Sequence, residues 1–351
     1  MVRKAKELNL KNNEDFALWK NFLENVGINN FSEEEVNQVD LTIGIFDKQK
    51  LLATGSLAGN ILKYIAVSAD SIGTGSNFNL IVSELIGKLA LKGIFHTFVF
   101  TKPKYVASFQ HLGFKKLAVT EFGAVLERGF PDISTYLADI KQTENPVKKT
   151  AAIVMNANPF TLGHKFLVEQ ASQENDLVYV FVVATNAGLF SADERLKLVK
   201  QGTQHLNNVK VVSGGSYMVS YATFPAYFLD SPNDLIEYQT TLDALVFKNW
   251  IANYLHINTR YLGSEPLSRT TSIYNKILKK VLTPEISVKI INRRQLLNGE
   301  VISASNVRKK IAQNKLNELN ELVPETTLKF IRENAAILKL RIKKGMKIRG
   351  N

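Results

Sequence analysis

Residues 151–171 run from an apolar stretch of strand length, Ala151 to Met155, through a short turn into Phe166, Leu167, Gln170 and Ala171 at helical spacing. Strand, turn and helix follow one another in the order that a parallel α/β sheet requires. The turn reads Asn156-Ala157-Asn158-Pro159-Phe160-Thr161-Leu162-Gly163-His164. Asn-Pro initiates a turn, Thr161 can cap the helix, and Gly163 lets the backbone approach a ligand with no Cβ in the way. The first N–H groups of a helix have no internal partner, and the helix dipole favours an anion there. His164, one step inside, can donate to a phosphate oxygen whose charge grows during attack at phosphorus. A Thr/His-x-Gly-His tetrapeptide arises by chance in about one chain in twenty of this length. Taken alone, His164 reads equally as a solvated helix residue.

A second segment of the same chemistry lies far downstream, Ile302-Ser303-Ala304-Ser305-Asn306-Val307-Arg308. Two hydroxyls and a guanidinium at i, i+2 and i+5 open a helix predicted over Asn306 to Asn314, so they can converge on an anion. Between the two segments the chain alternates. Strands are predicted at Leu177 to Thr185, Val209 to Ser213 and Thr259 to Leu262, with helices at Asp193 to Gln204 and Leu242 to Tyr254. Gly263-Ser264-Glu265-Pro266 follows the last of these strands, where ligands collect in open α/β sheets.

The polar stretch Lys141 to Thr150 is the best linker and splits the chain near residue 145. Upstream, the reading is a helix at Glu14 to Val26, strands at Leu41 to Phe46, Lys50 to Ser56 and Asn60 to Val67, a helix at Phe78 to Leu91 and a strand at Thr97 to Phe100. A second short helix, Lys104 to His111, precedes Leu112-Gly113-Phe114. Gly73-Thr74-Gly75-Ser76 sits between the third strand and the long helix. Two readings stand for it: a pyrophosphate-binding turn, or a tight turn for which glycine is simply convenient.

Composition removes several classes. With 351 residues there is room for two domains, and 45% apolar against 22% charged residues argues for packed cores. The absence of cysteine excludes disulfides, thiolate catalysis and Cys-ligated zinc. The five histidines show no metal-binding spacing. No segment has the length of a membrane span or a secretory leader, so a cytoplasmic protein is expected, with no membrane partner. The net charge of +12 could suggest nucleic acid, but six of the positive residues crowd residues 339–351, from Lys339 to Arg349, with no acid among them. A solvated or partner-docking basic tail is expected there, and no nucleic-acid partner.

The T-x-G-H turn and the I-S-x-S-x-V-R helix resemble the two signatures of the nucleotidyltransferase superfamily typified by phosphopantetheine adenylyltransferase. Phe190-Ser191-Ala192-Asp193-Glu194-Arg195, followed by Asn208-Val209-Lys210-Val211, is similar to a third. The strand, glycine-bearing turn, helix and strand of the first half, then Gly113-Phe114, resemble the acyl-CoA-binding core of the GNAT acetyltransferases. From about residue 10 to 330 the chain is similar to the citrate (pro-3S)-lyase ligases. Ala53 to Asn60, Thr101-Lys102-Pro103, Asn156 to His164, Ala222 to Phe228, Gly263 to Pro266 and Ile302 to Ser305 carry that resemblance. One departure is visible: Ala157 stands where the family pattern leads one to expect Cys, and alanine cannot supply a thiolate.

The resemblance implies an α/β protein: a GNAT-like α+β domain over residues 1–145, then a Rossmann-like parallel-sheet nucleotidyltransferase domain over 146–338, ahead of the tail at 339–351. It implies a ligase that activates acetate with ATP as acetyl-AMP, releasing pyrophosphate, and acetylates the thiol of the CoA-like prosthetic group on the citrate lyase acyl carrier protein, the gamma subunit. The alternative is an adenylyltransferase that builds a dinucleotide-type cofactor from ATP and a phosphorylated precursor. The catalytic residues implied are His164, Thr161 and Arg308, with His164 and Thr161 donating to the α/β-phosphate oxygens. Asn156, Asn158, Phe160, Gly163, Arg195, Gly263, Glu265, Ile302, Ser303 and Ser305 complete the ATP site, and Gly73, Gly75 and Ser76 the site for the CoA-like arm. Arg195 either helps the triphosphate or pairs with Glu194 or another neighbour. Glu265 is either a contact to ribose or to a Mg2+-bound water, or a structural carboxylate. Asn158 bonds either backbone or acetate. Mg2+ is expected with ATP, with no protein ligand assigned. Tyr217, Tyr221, Phe224, Tyr227 and Phe228 line an acetate pocket, a carrier surface or simply a core.

Overall fold

The structure is a computed structural model and describes residues 5–29, 33–68, 74–140, 147–185, 188–218, 232–264, 269–292 and 301–346. Gly73, Glu265, most of the expected linker, and the aromatic positions Tyr221, Phe224, Tyr227 and Phe228 lie outside the described residues. The chain divides into two compact units, Met1–Tyr136 with Phe224–Leu242, and Leu137–Thr223 with Asp243–Asn351. The break therefore falls a few residues before the expected linker, and the first unit also takes a stretch from the middle of the chain.

The first unit holds β1 (Ala5–Leu8), α1 (Asn13–Asn25), α2 (Glu33–Asn37), β2 (Leu41–Asp47), β3 (Lys50–Ala58), β4 (Ile61–Val67), α3 (Thr74–Leu91), β5 (His96–Thr101), α4 (Val106–His111), β6 (Lys115–Val119), β7 (Ala124–Gly129) and α5 (Ile133–Ala138). Its seven strands lie in the order β1-β2-β3-β4-β5-β7-β6. All neighbours are antiparallel except β4 and β5. That parallel pair with α3 between is the strand-turn-helix-strand order read from the sequence, closed as a crossover. The α3 stripe of Ile81, Val82, Leu85 and Leu89 covers one face with Ile43, Ala53, Leu57 and Leu62. Trp19 and Leu23 of α1 cover Leu8, Tyr64 and Ala66 in a second core. The central strands are buried on both faces, and the polar residues among them bond within the sheet, as Thr42 does with Ser56 at 2.8 Å and Thr54 with the Ile43 carbonyl at 3.0 Å. β4 and β5 register only at Ile61 with Phe98 and Leu62 with Val99, so the two strands part towards their carboxyl ends.

The second unit holds β8 (Thr150–Met155), α6 (Leu162–Glu174), β9 (Leu177–Val182), α7 (Ala192–Thr203), β10 (Val209–Ser213), the last turn of α8 (Pro232–Val246), whose earlier turns belong to the first unit, β11 (Thr259–Gly263), α9 (Arg269–Leu282), β12 (Ser287–Ile291), α10 (Ala304–Ala312), α11 (Glu325–Glu333) and α12 (Ala335–Lys343). Its sheet is parallel throughout, in the order β10-β9-β8-β11-β12. The chain winds from β8 outward to β10 and then restarts on the far side of β8, so the switch point falls between β8 and β11. Ala151, Ile153 and Met155 of β8, with Val178, Val180 and Val182 of β9, face the core shared with Leu167, Val168, Leu198, Val307, Ile331 and Leu338.

Three boundaries differ from the sequence reading. The strand at Leu177 ends at Val182, because Val183 and Thr185 turn their carbonyls to a guanidinium. The helix expected from Leu242 begins at Pro232 and passes into a π-helical stretch at Phe247–Ala252. The expected tail starts inside α12: Arg341 donates to both carboxylate oxygens of Glu194 at 2.6 and 2.9 Å and to the Leu189 carbonyl at 3.1 Å. Among the described residues no helix is long and apolar enough to cross a membrane.

Candidate active site

The carboxyl ends of β8, β11 and β12 bring both phosphate-type motifs to one edge of the sheet. Thr161 is the N-cap of α6, with extended backbone, and its hydroxyl accepts from the His164 amide at 3.3 Å. His164 answers with its ring: Nδ1 accepts from the Thr161 amide at 3.1 Å and lies 2.9 Å from the Thr161 hydroxyl. This is a capping box with imidazole in the place usually held by a carboxylate. A proton on Nδ1 would confront the Thr161 N–H donor, so the network assigns the proton of the neutral ring to Nε2. The ring lies nearly parallel to Phe160, with centroids 5.9 Å apart and planes at 16°. Phe160 is itself fully buried against Gly202 of α7, where a Cβ would come within 2.4 Å of the ring.

Not every N–H of the first turn remains available. Leu162 donates to the Leu322 carbonyl at 3.0 Å and His164 to the Thr161 hydroxyl, leaving Gly163 as the first-turn amide with no hydrogen-bond partner among the described residues. Gly163 also lies against the second motif: a Cβ there would sit 3.4 Å from the Ile302 carbonyl oxygen. Ser303 caps α10 by accepting from the Asn306 amide at 3.2 Å. The Ala304 and Ser305 amides beside it have no partner among the described residues. Ser305 Oγ accepts from Arg308 at 3.0 Å. The unpartnered amides of Gly163, Ala304 and Ser305 thus stand at two helix N-termini, the kind of chain end that favours an anion.

Both arginines of the site bond protein oxygens. Arg308 is fully buried, donates to the Asn158 carbonyl at 2.5 Å and to Ser305 Oγ, and its guanidinium pKa is lowered by burial. It ties the second motif to the first turn. Arg195 is also fully buried and donates to five protein oxygens: Asn156 O and Oδ1 at 2.8 Å each, Val183 O at 2.6 Å, Phe190 O at 3.3 Å and Thr185 O. Burial pulls its pKa down to about 10. Of the two sequence readings of Arg195, these bonds match pairing with a neighbour at the start of its helix, through the Phe190 carbonyl, and not with Glu194, which is taken by Arg341. Asn158 resolves towards backbone: it is buried, and its Oδ1 accepts from the Phe190 amide at 3.0 Å. Thr161 is engaged as a cap rather than aimed outward. Ala157 is buried with φ of 49°.

Gly263 ends β11, its carbonyl 3.4 Å from Asn275 Nδ2, and space beyond its Cα is open. In the first unit Gly75 stands in the opening turn of α3 with nothing near its Cα, and Ser76 follows it. The donors at the turns suit phosphate rather than a cation. Among the described residues no cluster of three or more His, Asp or Glu side chains could hold a metal ion, so no residue is assigned to Mg2+. The Leu322 carbonyl and the amides of Ala304 and Phe190 are main-chain groups that no side-chain pattern could have flagged.

A five-stranded parallel sheet with two capped helices opening at its switch point is a fold of the nucleotidyltransferase type. The citrate lyase ligase C-terminal domain model matches residues 150–331. A citrate (pro-3S)-lyase ligase from Escherichia coli strain K12 is 34% identical over 311 residues, covering 86% of this chain and 88% of that protein. Its counterpart from Klebsiella pneumoniae is 37% identical over 294 residues, covering 82% and 85%. A phosphopantetheine adenylyltransferase from Corynebacterium diphtheriae is 26% identical over 149 residues, 39% of this chain and 92% of that protein. An N-acetyltransferase structure from Staphylococcus aureus Mu50 aligns over 38% of this chain and 100% of its own, at 15% identity and a TM-score of 0.30. The chain belongs to the citrate lyase ligase family.

Proposed function

We propose that this enzyme activates acetate with ATP and passes the acetyl group to the thiol of the CoA-like prosthetic group on the citrate lyase acyl carrier protein. The observation that supports the reading is the approach of the two motifs, Gly163 lying where a Cβ would sit 3.4 Å from the Ile302 carbonyl oxygen, next to an imidazole whose Nδ1 is engaged by Thr161. An acetate oxygen attacks the α-phosphorus, the bond to the β-phosphate oxygen breaks, and pyrophosphate leaves. His164 Nε2–H stabilises the charge growing on the α-phosphate, and the amides of the two helix termini hold the departing pyrophosphate. Little covalent work is asked of the protein beyond positioning. The thiol then attacks the acetyl carbonyl, AMP leaves, and the thiol proton passes to solvent or the departing phosphate. Mg2+, bound with ATP, would neutralise phosphate charge. The parting of β4 from β5, with Gly75 and Ser76 at the start of α3, supports the first unit as the holder of the CoA-like arm.

Product analysis tests this. With ATP, acetate and deacetylated citrate lyase, AMP and pyrophosphate should form in step with acetylation of the carrier. Turnover indifferent to acetate, with a dinucleotide product from a phosphorylated precursor, would instead support the adenylyltransferase reading that the kinship with phosphopantetheine adenylyltransferase raises.

A further inference from the structure

We infer that Arg195 is a positioning residue: it never touches the nucleotide, but holds the carbonyls of the phosphate turn away from the anion so that the turn presents only donors. The inference rests on the ATP-binding reading of the turn and deepens it. Arg195 sits on the first turn of α7, and the five oxygens it engages come from three separate segments: the end of β8 at Asn156, the chain beyond β9 at Val183 and Thr185, and the entry to α7 at Phe190. One planar guanidinium thus stitches together the rim of the site, a task its five fixed donors suit and an ammonium does not.

What the stitching accomplishes is visible around Ala157. That residue lies in the left-handed region, which an alanine rarely adopts. Its two neighbours are gripped from either side: the Asn156 carbonyl by Arg195 and the Asn158 carbonyl by Arg308. A conformation of this kind persists where the surroundings over-determine it. With both carbonyls engaged by guanidinium groups, neither opposes an incoming phosphate. None of the five partners of Arg195 is a carboxylate, and the adjacent Glu194 is committed to Arg341. Among the described residues the cation is therefore balanced by carbonyl dipoles alone, and it keeps a positive potential where it lies buried beside the anion site.

Arg195→Met and Arg195→Lys separate geometry from charge. Inorganic pyrophosphate affinity is measured by calorimetry without acetate or carrier, alongside kcat and the KM for acetate in the complete reaction, on protein whose fold is checked by circular dichroism. Arg195→Met is expected to lose on the order of 10²-fold in kcat, with the KM for acetate unchanged, because the reacting phosphate is misplaced while the acetate contacts remain. Its pyrophosphate affinity should fall about tenfold. Arg195→Lys should recover pyrophosphate affinity but not kcat. A folded Arg195→Met with lowered melting temperature but the parent's kcat and pyrophosphate affinity would overturn the inference and leave a purely structural residue. If Arg195→Met does not accumulate as folded protein, Arg195→Lys decides alone: a kcat equal to the parent's overturns it. A parent that binds pyrophosphate but forms no AMP with acetate defeats the ligase reading, while loss of that binding in Arg195→Met still supports the role of Arg195.

Discussion

At His164 one hydrogen bond decides what the imidazole can do. The Thr161 amide points at Nδ1, so the neutral ring carries its proton on Nε2, and the proposed contact to phosphate requires no further protonation. His164→Ala is expected to remain folded and to lose on the order of 10² to 10³ in kcat for acetate-dependent AMP formation, measured by pyrophosphate release. Ala157 makes the complementary case for the backbone. It is buried with φ of 49°, so Ala157→Val places a β-branched side chain in the left-handed region with no room to relax. A loss of about 2 kcal/mol or more is expected by denaturant unfolding. The residue types of the proposed site, Thr, Gly, His, Ser and Arg in order, are those the sequence motifs name. Their division of labour was not legible there, because Arg195 and Arg308 answer to carbonyls contributed by remote backbone, and a sequence records no carbonyl directions.

Elements were legible where periodicity was strong and their neighbours local. β8, α6, α7 and β10 lie within a few residues of their sequence-based bounds, since caps and apolar runs are written into the chain itself. The close packing of α7 on the phosphate turn was not. Gly202 faces Phe160 so tightly that Gly202→Ala must displace the ring, and with it the surface against which His164 lies. Helix propensity favours alanine by about 1 kcal/mol, whereas overpacking costs about 1 to 3 kcal/mol. A lowered melting temperature together with weaker pyrophosphate binding is therefore expected, and a variant more stable than the parent would contradict this packing. α12 was read as the start of a solvated tail because a run of positive residues usually is one. The acid that engages it, Glu194, lies far upstream in sequence. Arg341→Ala should lower stability by about 1 kcal/mol, a value reduced for partial exposure, as read by thermal unfolding.

Across the molecule, two carboxyl groups of the second unit give stability opposite dependences on pH. At Glu194 burial pushes the carboxyl up, but hydrogen bonds from Arg341 and Ser191 outweigh it and hold the pKa below the ordinary value. Its contribution is present above the unfolded pKa and lost as pH falls through the folded one. Asp243 behaves in reverse. Burial pushes it up to about 6 against the attraction of Arg260 and a hydrogen bond from Tyr274 at 3.0 Å. The folded state then binds the proton more tightly than the unfolded state, so this group adds stability as pH falls from about 6 towards its unfolded value and withdraws it as pH rises. Melting temperatures across that window should show the acid-side gain in the parent and not in Asp243→Asn; parallel curves would contradict the assignment. Glu194 was read from sequence only as a candidate partner of Arg195, and Asp243 not at all, because burial and partners arise only when α7 meets α12 and α8 meets α9 and β11. The sequence by itself determined two nucleotide-type motifs, the strand–helix alternation and the family, since local patterning and motif order are properties of the chain. Tertiary structure decided which donors remain open to an anion and which arginines turn inward, because both depend on carbonyls and side chains that meet only after folding, 150 residues apart in the bond from Arg308 to Asn158.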